Sequence, residues 1–291
     1  MYYYVFIDPE IVPDAVAEGG PALDSLIGIL RGFRRGCIMT ETDSWEIGMT
    51  LGEHVKDIPD DFHNERKLLN ELVIHHFLKG GGPWVVLETD GVDRPYIEVA
   101  IERGTEADLD LLLTPVTPTP SAEDSWESCS HSNYNGTEFS ASRERVMNGD
   151  SFRKGEIDHD ELFDRCFAKM LRHAEKIVIT DYALGKHYNN TQPENMKRWV
   201  RSIETVLDNP GNAKVVIRTM RSTHSRSIET DVDFLKNEVD LELELEFLED
   251  KVHRRFLVAD SHCLNTDRGV DICYEDGTCR EFGINYDDSP A

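Results

Sequence analysis

The sequence has 291 residues, 39% of them hydrophobic, and its 31 basic against 56 acidic side chains give a formal net charge of −25. This length suits two domains, and the acidity excludes a diffuse nucleic-acid-binding surface, because such a surface needs clustered cations. No apolar run approaches the roughly 20 residues that span a bilayer, and the six cysteines form no Cys-x-x-Cys pair, so we expect a reduced, cytoplasmic protein.

Residues 1–113 are predicted to form a first domain in which strands and helices alternate. The expected strands are 3–7, 37–39, 84–88 and 109–113, and the expected helices are 22–30, 61–78 and 95–103. Such alternation favours an α/β domain with a mostly parallel sheet. Residues 114–156 lack apolar periodicity and are rich in Pro, Ser, Asn, Gly and Thr, which predicts a linker or a long loop.

Residues 157–291 return to alternating helices and strands and are predicted to form a second α/β domain. The expected helices are 158–175, 192–207 and 228–236, and the expected strands are 176–180, 213–217, 241–247, 255–258 and 270–273. The strand at 241–247 alternates apolar residues with glutamates, which is typical of a strand with one exposed face.

Several short features of this second half match one known domain in their order and spacing. They are the leading helix, Glu175-Lys-Ile-Val-Ile-Thr-Asp181 with Tyr182, Trp199 in the next helix, His253-Arg-Arg-Phe-Leu-Val-Ala-Asp260, and Asp267-Arg-Gly-Val-Asp271. On these features, residues 157–276 resemble the phospholipase-D-like domain that ends MIT-domain proteins and that also occurs in bacterial proteins. The resemblance implies a phospholipase-D-like α/β fold for this half.

The resemblance also implies a site, because the parent superfamily uses the motif His-x-Lys-x4-Asp. There the histidine attacks phosphorus, the lysine neutralises phosphate oxygens and the aspartate orients a histidine. On this basis His253 is the predicted nucleophile, Arg255 the phosphate clamp and Asp260 the orienting residue. Arg268 and Asp271 are predicted to bind phosphate in the same pocket. Such sites use two motifs, so a homodimer is expected, and no cofactor is implied.

The same spacing occurs twice more in the sequence, but in unsuitable settings. The copy at His54 contains Pro59, which is hostile to a central strand, and the copy at His224 continues into a predicted helix. Only residues 253–260 place apolar residues between the cation and the aspartate, as a buried strand requires. The alternative is a fold element in which His253 and Asp260 merely satisfy each other.

Acidic residues follow the predicted strands of the first domain. Asp8 follows the first strand, Asp43 the second and Asp90 the third, with Glu41 and Glu88 beside them. Acids at the carboxyl ends of parallel strands converge at one edge of the sheet, where they can bind Mg²⁺ or Mn²⁺ and activate water. This arrangement loosely resembles PIN-like nucleases and predicts a metal site at Asp8, Asp43 and Asp90. The alternative is a set of solvated loop acids.

The leading hypothesis from the sequence is a phosphodiesterase, a nuclease effector of a bacterial defence or conflict system. It would hold nucleic acid in a local basic cleft, since the net charge excludes a broad cationic surface. The first alternative is a non-catalytic phospholipase-D-like module that binds anionic lipid. The second is an adaptor that binds a protein partner from a multi-gene system.

Overall fold

The computed structural model describes residues 2–42, 45–79, 85–89, 94–116, 118, 126–186, 188, 191–249, 255–260 and 262–286. The chain divides into two compact units, Tyr2–Glu144 and Arg145–Ala291, so the boundary falls inside the segment predicted as a linker. Both units combine helices with a sheet, which confirms the predicted α/β class. Within the described ranges, no helix has the length and apolar character needed to cross a membrane.

The N-terminal unit is built on a parallel sheet, as predicted. In its described part the strand order is β3-β2-β1-β4-β5. The strands are β1 (Tyr3–Ile7), β2 (Cys37–Thr42), β3 (Val85–Leu87), β4 (Leu111–Leu113) and β5 (Glu127–Cys129). The helices are α1 (Ile11–Glu18), α2 (Gly20–Phe33), α3 (Glu46–Lys56), α4 (His63–Val73), α5 (Tyr96–Arg103) and α6 (Glu138–Met147). Every residue of β2 and β4 is buried, as in parallel sheets covered by helices.

The segment predicted as a linker or long loop is largely secondary structure in its described part. It contains β5, a 3₁₀ turn at Tyr134–Gly136, α6 and the strand β6 (Asp150–Phe152). The buried side chains of this segment include isolated aromatic residues. The ring of Phe139 packs edge-on against Tyr3, and the ring of Tyr134 packs edge-on against Phe33. Because these aromatics follow no helical or strand period, the sequence pattern missed them.

The C-terminal unit contains a mixed sheet, with the order β6-β12-β11-β10-β7-β8-β9 in its described part. Strands β7, β8 and β9 are parallel, and the remaining pairs are antiparallel. The strands after β6 are β7 (Lys176–Asp181), β8 (Lys214–Met220), β9 (Glu242–Leu248), β10 (Arg255–Ala259), β11 (His262–Thr266) and β12 (Phe282–Tyr286). The helices are α7 (His159–Leu162), α8 (Ala168–Leu171), α9 (Tyr182–Lys186), α10 (Thr191–Val206) and α11 (Ser225–Leu235), with a π-helical turn between α7 and α8.

The strand predicted at 270–273 is wrong, because these residues form a buried loop. Val270, Ile272 and Cys273 are nearly inaccessible to solvent, and burial of a loop gives the same run of apolar residues as burial of a strand. The strands on either side of this loop, β11 and β12, pair with each other and were not predicted. Elsewhere in the unit, Trp199 of α10 packs against Phe163 and Phe167 in the core.

Candidate functional site

Motif segments that are distant in the sequence meet at the carboxyl end of β7. Strand β10 runs antiparallel beside β7, which places Arg255, its first residue, opposite Asp181, the last residue of β7. The loop after β11 folds onto the same point. Gly269 has φ +60° and lies so close to Asp181 that a Cβ atom would collide with its carboxylate. Three of the segments that carried the resemblance therefore build one site.

Asp181 is the buried centre of this site, with only 1% of its surface exposed. Its Oδ1 accepts the N–H of Ala183 and its Oδ2 accepts the N–H of Val270, both at 2.9 Å. Arg255 Nε lies 3.5 Å from Oδ1. Burial raises the pKa of Asp181 above its ordinary value, although the N–H groups and Arg255 oppose the shift. The carboxylate thus holds the end of β7 to the start of β10.

The guanidinium of Arg255 is held on three sides. It lies beside the carboxylate of Asp181, its Nη1 donates to the backbone carbonyl of Asp267, and its centre sits 5.3 Å from the centre of the Tyr182 ring. An arginine that is paired, hydrogen-bonded and stacked in this way is fixed in place. Arg255 therefore connects the end of β7 to the loop after β11, and the carboxylate of Asp181 lies beside its charge.

Asp260 lies at the opposite end of β10 and does not meet Arg255. The backbone N–H groups of Lys176 and Glu175 donate to its carboxylate at 3.0 and 3.3 Å, and its own N–H donates to the Lys176 carbonyl. Five strand residues correspond to about 16 Å at roughly 3.3 Å per residue. The structure therefore does not bring Arg255 and Asp260 together, because the strand between them is extended. His253 lies outside the described residues.

Arg268 and Asp271 were predicted to bind phosphate in the same pocket. In the structure, these side chains contact Glu281 and Arg280. Arg268 Nε donates to the carbonyl of Glu281 at 2.6 Å, and Asp271 Oδ1 lies 3.4 Å from Arg280 Nη2. Their loop contributes to the site through its backbone, by the Val270 N–H and the Asp267 carbonyl.

Asp8 lies at the carboxyl edge of the N-terminal sheet, as predicted. It follows β1, and the strand order reverses between β1 and β4, the place where ligands commonly bind in α/β sheets. Thr114, after β4, donates its hydroxyl to Asp8 Oδ2 at 2.9 Å, and the Glu10 N–H donates to Oδ1 at 3.1 Å. Asp8 is 5% exposed, and burial raises its pKa. Asp43 and Asp90 lie outside the described residues.

Glu41 is also buried, but its carboxylate is committed to the fold. It accepts the N–H groups of Ile47 and Gly48 at 2.8 and 2.9 Å and that of Thr42 at 2.9 Å, and so caps the amino end of α3. Burial raises its pKa as well. Of the acids expected to converge at this edge, Asp8 is therefore the described residue that combines burial with a position at the reversal of strand order.

We expect Asp8→Asn to stabilise the N-terminal unit near pH 7, because an amide avoids the charge that burial disfavours. The pKa of Asp8 is raised in the folded protein. The charged carboxylate therefore destabilises the folded state by an amount that is zero below the ordinary carboxyl range and that grows as pH rises through the folded pKa. The gain in Tm should shrink from neutral pH towards about pH 3. Glu88→Gln, an exposed acid after β3, should shift Tm little at either pH. A less stable Asp8→Asn protein at neutral pH would contradict this expectation.

One further cluster, which the sequence did not predict, lies in the same unit. Asp14 and Glu18 of α1 approach His131, which follows β5. The four-residue spacing of the two acids indicates one helical face. However, the histidine lies 113 positions from Glu18, so no local pattern connects them.

Comparison with known proteins gives no family for this chain. No protein-family model matches it, and no curated protein matches it. Among solved structures, it is similar to TrmBL2, an archaeal chromatin protein described as showing a novel mode of DNA binding, with 13% identity and a TM-score of 0.24. The match covers 52% of this chain and 54% of the TrmBL2 chain, so this chain spans about half the length of that protein. A TM-score of this size does not establish a shared fold.

Proposed function

We propose that the C-terminal unit is a phospholipase-D-like binding module that lacks phosphodiesterase activity and recognises a protein partner. The observation that carries this proposal is the state of Arg255, which lies beside buried Asp181 and donates to a backbone carbonyl. A phosphate clamp needs a cation that is available to pair with phosphate oxygens. Because this cation already lies beside a carboxylate and donates to the backbone, binding is favoured over catalysis. A binding module does not need the homodimer that two catalytic motifs would require.

The charge of this half favours a protein partner over nucleic acid or an anionic membrane. Residues 151–291 hold 20 basic and 28 acidic side chains and so have a net charge of −8. Many described basic side chains also pair with carboxylates, which gives a mixed surface rather than a cationic stripe. These pairs include Lys197 with Asp231, Arg201 with Glu238, Lys214 with Glu242, Arg218 with Glu246 and Arg280 with Asp271.

In EDTA, we expect the full chain to leave single- and double-stranded DNA and RNA intact, and His253→Ala to change nothing. Phosphohistidine chemistry needs no metal ion, so EDTA-resistant cleavage that disappears in His253→Ala would refute the proposal. Flotation with anionic liposomes at low salt tests the lipid alternative, and no binding is expected. Cross-linked copurification with the products of neighbouring genes is the positive test for a protein partner.

A second candidate is a phosphodiesterase site in the N-terminal unit that depends on Mg²⁺ or Mn²⁺. The position of Asp8 favours it, because this buried carboxylate lies where the strand order reverses. In the same nuclease assay, this candidate predicts cleavage that requires Mn²⁺ and is lost in Asp8→Asn. The control Glu88→Gln changes an exposed acid after β3, which β2 separates from β1, and should keep the activity.

A further inference from the structure

We propose that Asp14, Glu18 and His131 form a binding site for one divalent transition-metal ion, Zn²⁺ or Mn²⁺, in the N-terminal unit. The two acids lie one turn apart on α1, and the histidine follows β5. One ligand atom from each of the three side chains lies within 4.8 Å of the others. The site is independent of the function proposed for the C-terminal unit.

The imidazole of His131 is the buried component of this site. Its side chain is 1% exposed, its Nε2 lies 3.2 Å from Glu18 Oε2, and its Nδ1 lies 3.7 Å from Asp14 Oδ2. Within the described part of the chain, Nδ1 has no hydrogen-bond partner. A buried polar atom without a partner is unfavourable. An ion bound to Nδ1 beside the carboxylates would satisfy it.

The main chain that carries this ring is held in place before any ion binds. Ser25 Oγ of α2 donates to the carbonyl of His131 at 3.0 Å, and the N–H of Ser130 donates to Asn133 Oδ1 at 2.7 Å. The turn after β5 is therefore held by contacts at and beside His131. A ligand that is already in place loses less conformational entropy when the ion binds.

The ligand set indicates which ions fit. Ca²⁺ and Mg²⁺ prefer sites made of oxygen atoms, whereas one imidazole with two carboxylates suits Zn²⁺ or Mn²⁺. The two carboxylates supply a charge that balances a divalent ion. Asp14 and Glu18 are 37% and 56% exposed, so an ion can reach the site from solvent and water can complete its coordination.

The competing explanation is a protonated His131 that bridges the two carboxylates without a metal ion. It accounts for the same short distances, because an imidazolium is a cation with two donors. It predicts no stoichiometric binding of metal, so direct titration separates the two explanations.

The test uses the full chain, stripped with EDTA, dialysed, and titrated with Zn²⁺ by calorimetry and with Mn²⁺ by loss of the free-ion EPR signal. We expect one ion per chain and a Tm that rises with ion concentration. The double variant Asp14→Asn/Glu18→Gln and the variant His131→Gln should each weaken binding at least about tenfold, a loss that even outer partners of metal sites produce. X-ray absorption at the Zn edge should show one imidazole nitrogen.

A matched control is Asp208→Asn in the C-terminal unit, where Asp208 Oδ2 lies 2.8 Å from His173 Nδ1. This variant also removes a carboxylate from a histidine pair, and it should bind the ion as the wild type does. The acids changed in the double variant are partly exposed, so an unchanged circular dichroism spectrum is expected. Absence of a stoichiometric ion in the wild type, or wild-type affinity in the double variant, would overturn the proposal.

Discussion

Replacing Asp181 by alanine is expected to destabilise the C-terminal unit by about 3 kcal/mol or more, as for other broken buried ion pairs. The change leaves the guanidinium of Arg255 without its counter-charge. It also removes the acceptor for the N–H groups of Ala183 and Val270, and an unpaired buried donor costs about 1–3 kcal/mol. Hydrogen exchange of the β7 and β10 amides measures this loss in the C-terminal unit alone.

The control for this prediction is Asp271→Ala, which removes another aspartate–arginine pair of the same unit. Asp271 is partly exposed and lies 3.4 Å from Arg280, so its loss should cost no more than about 1 kcal/mol. Equal losses in the two variants would show that the burial of Asp181 does not matter. A small loss in Asp181→Ala would mean that water replaces the carboxylate at the end of β7.

Gly269→Ala should have a comparable effect, about 3 kcal/mol, through steric exclusion. Gly269 has φ +60°, a backbone conformation that alanine adopts only at a cost of about 1–2 kcal/mol. A Cβ atom there would also collide with the carboxylate of Asp181 and lie 3.0 Å from Cδ of Arg255. The loop would have to withdraw from β7, which breaks the hydrogen bond from Val270. Thermal unfolding by calorimetry measures the loss.

Gly277→Ala separates the two causes, because it carries the conformational cost without the collision. Gly277 has φ +90°, and the nearest neighbour to a Cβ atom there is Nη1 of Arg198 at 3.8 Å, an ordinary van der Waals distance. We therefore expect a loss of about 1–2 kcal/mol there. If Gly277→Ala were as destabilising as Gly269→Ala, the close approach to Asp181 would not be what requires glycine at 269.

These variants also distinguish a structural role of the motif residues from a catalytic one. In a catalytic site, replacing Arg255 would lower turnover, and stability would change little or even improve, because active sites often cost stability. In the proposed binding module, Asp181 and Arg255 keep the loop at 267–271 against β7. Their replacement should then lower stability and partner binding together.

Local sequence pattern was sufficient for many strands and helices. The strand at Tyr3–Ile7 is where the apolar run predicted it, and α5, α10 and β9 agree with their predictions to within one residue at each end. Apart from the continuous apolar run of β1, these elements show a clear period of two or 3.6 residues in their sequences, and such periods reflect burial of one face. Helix α3 was missed, since its amino end is capped by Glu41, which lies before the helix and outside the usual capping position.

The sequence by itself determined the α/β class, most of the strands that form the two sheets, and the position of Asp8 after a strand. Only the tertiary structure decided which side chains meet. Asp181 accepts the N–H of Val270, which lies 89 positions away in the sequence, and Glu18 contacts His131, which lies 113 positions away. Periodicity describes one element at a time, whereas these contacts depend on strand order and on loops that fold back onto strand ends. For the same physical reason, Arg255 and Asp260, close in sequence, are held apart by the extended strand between them.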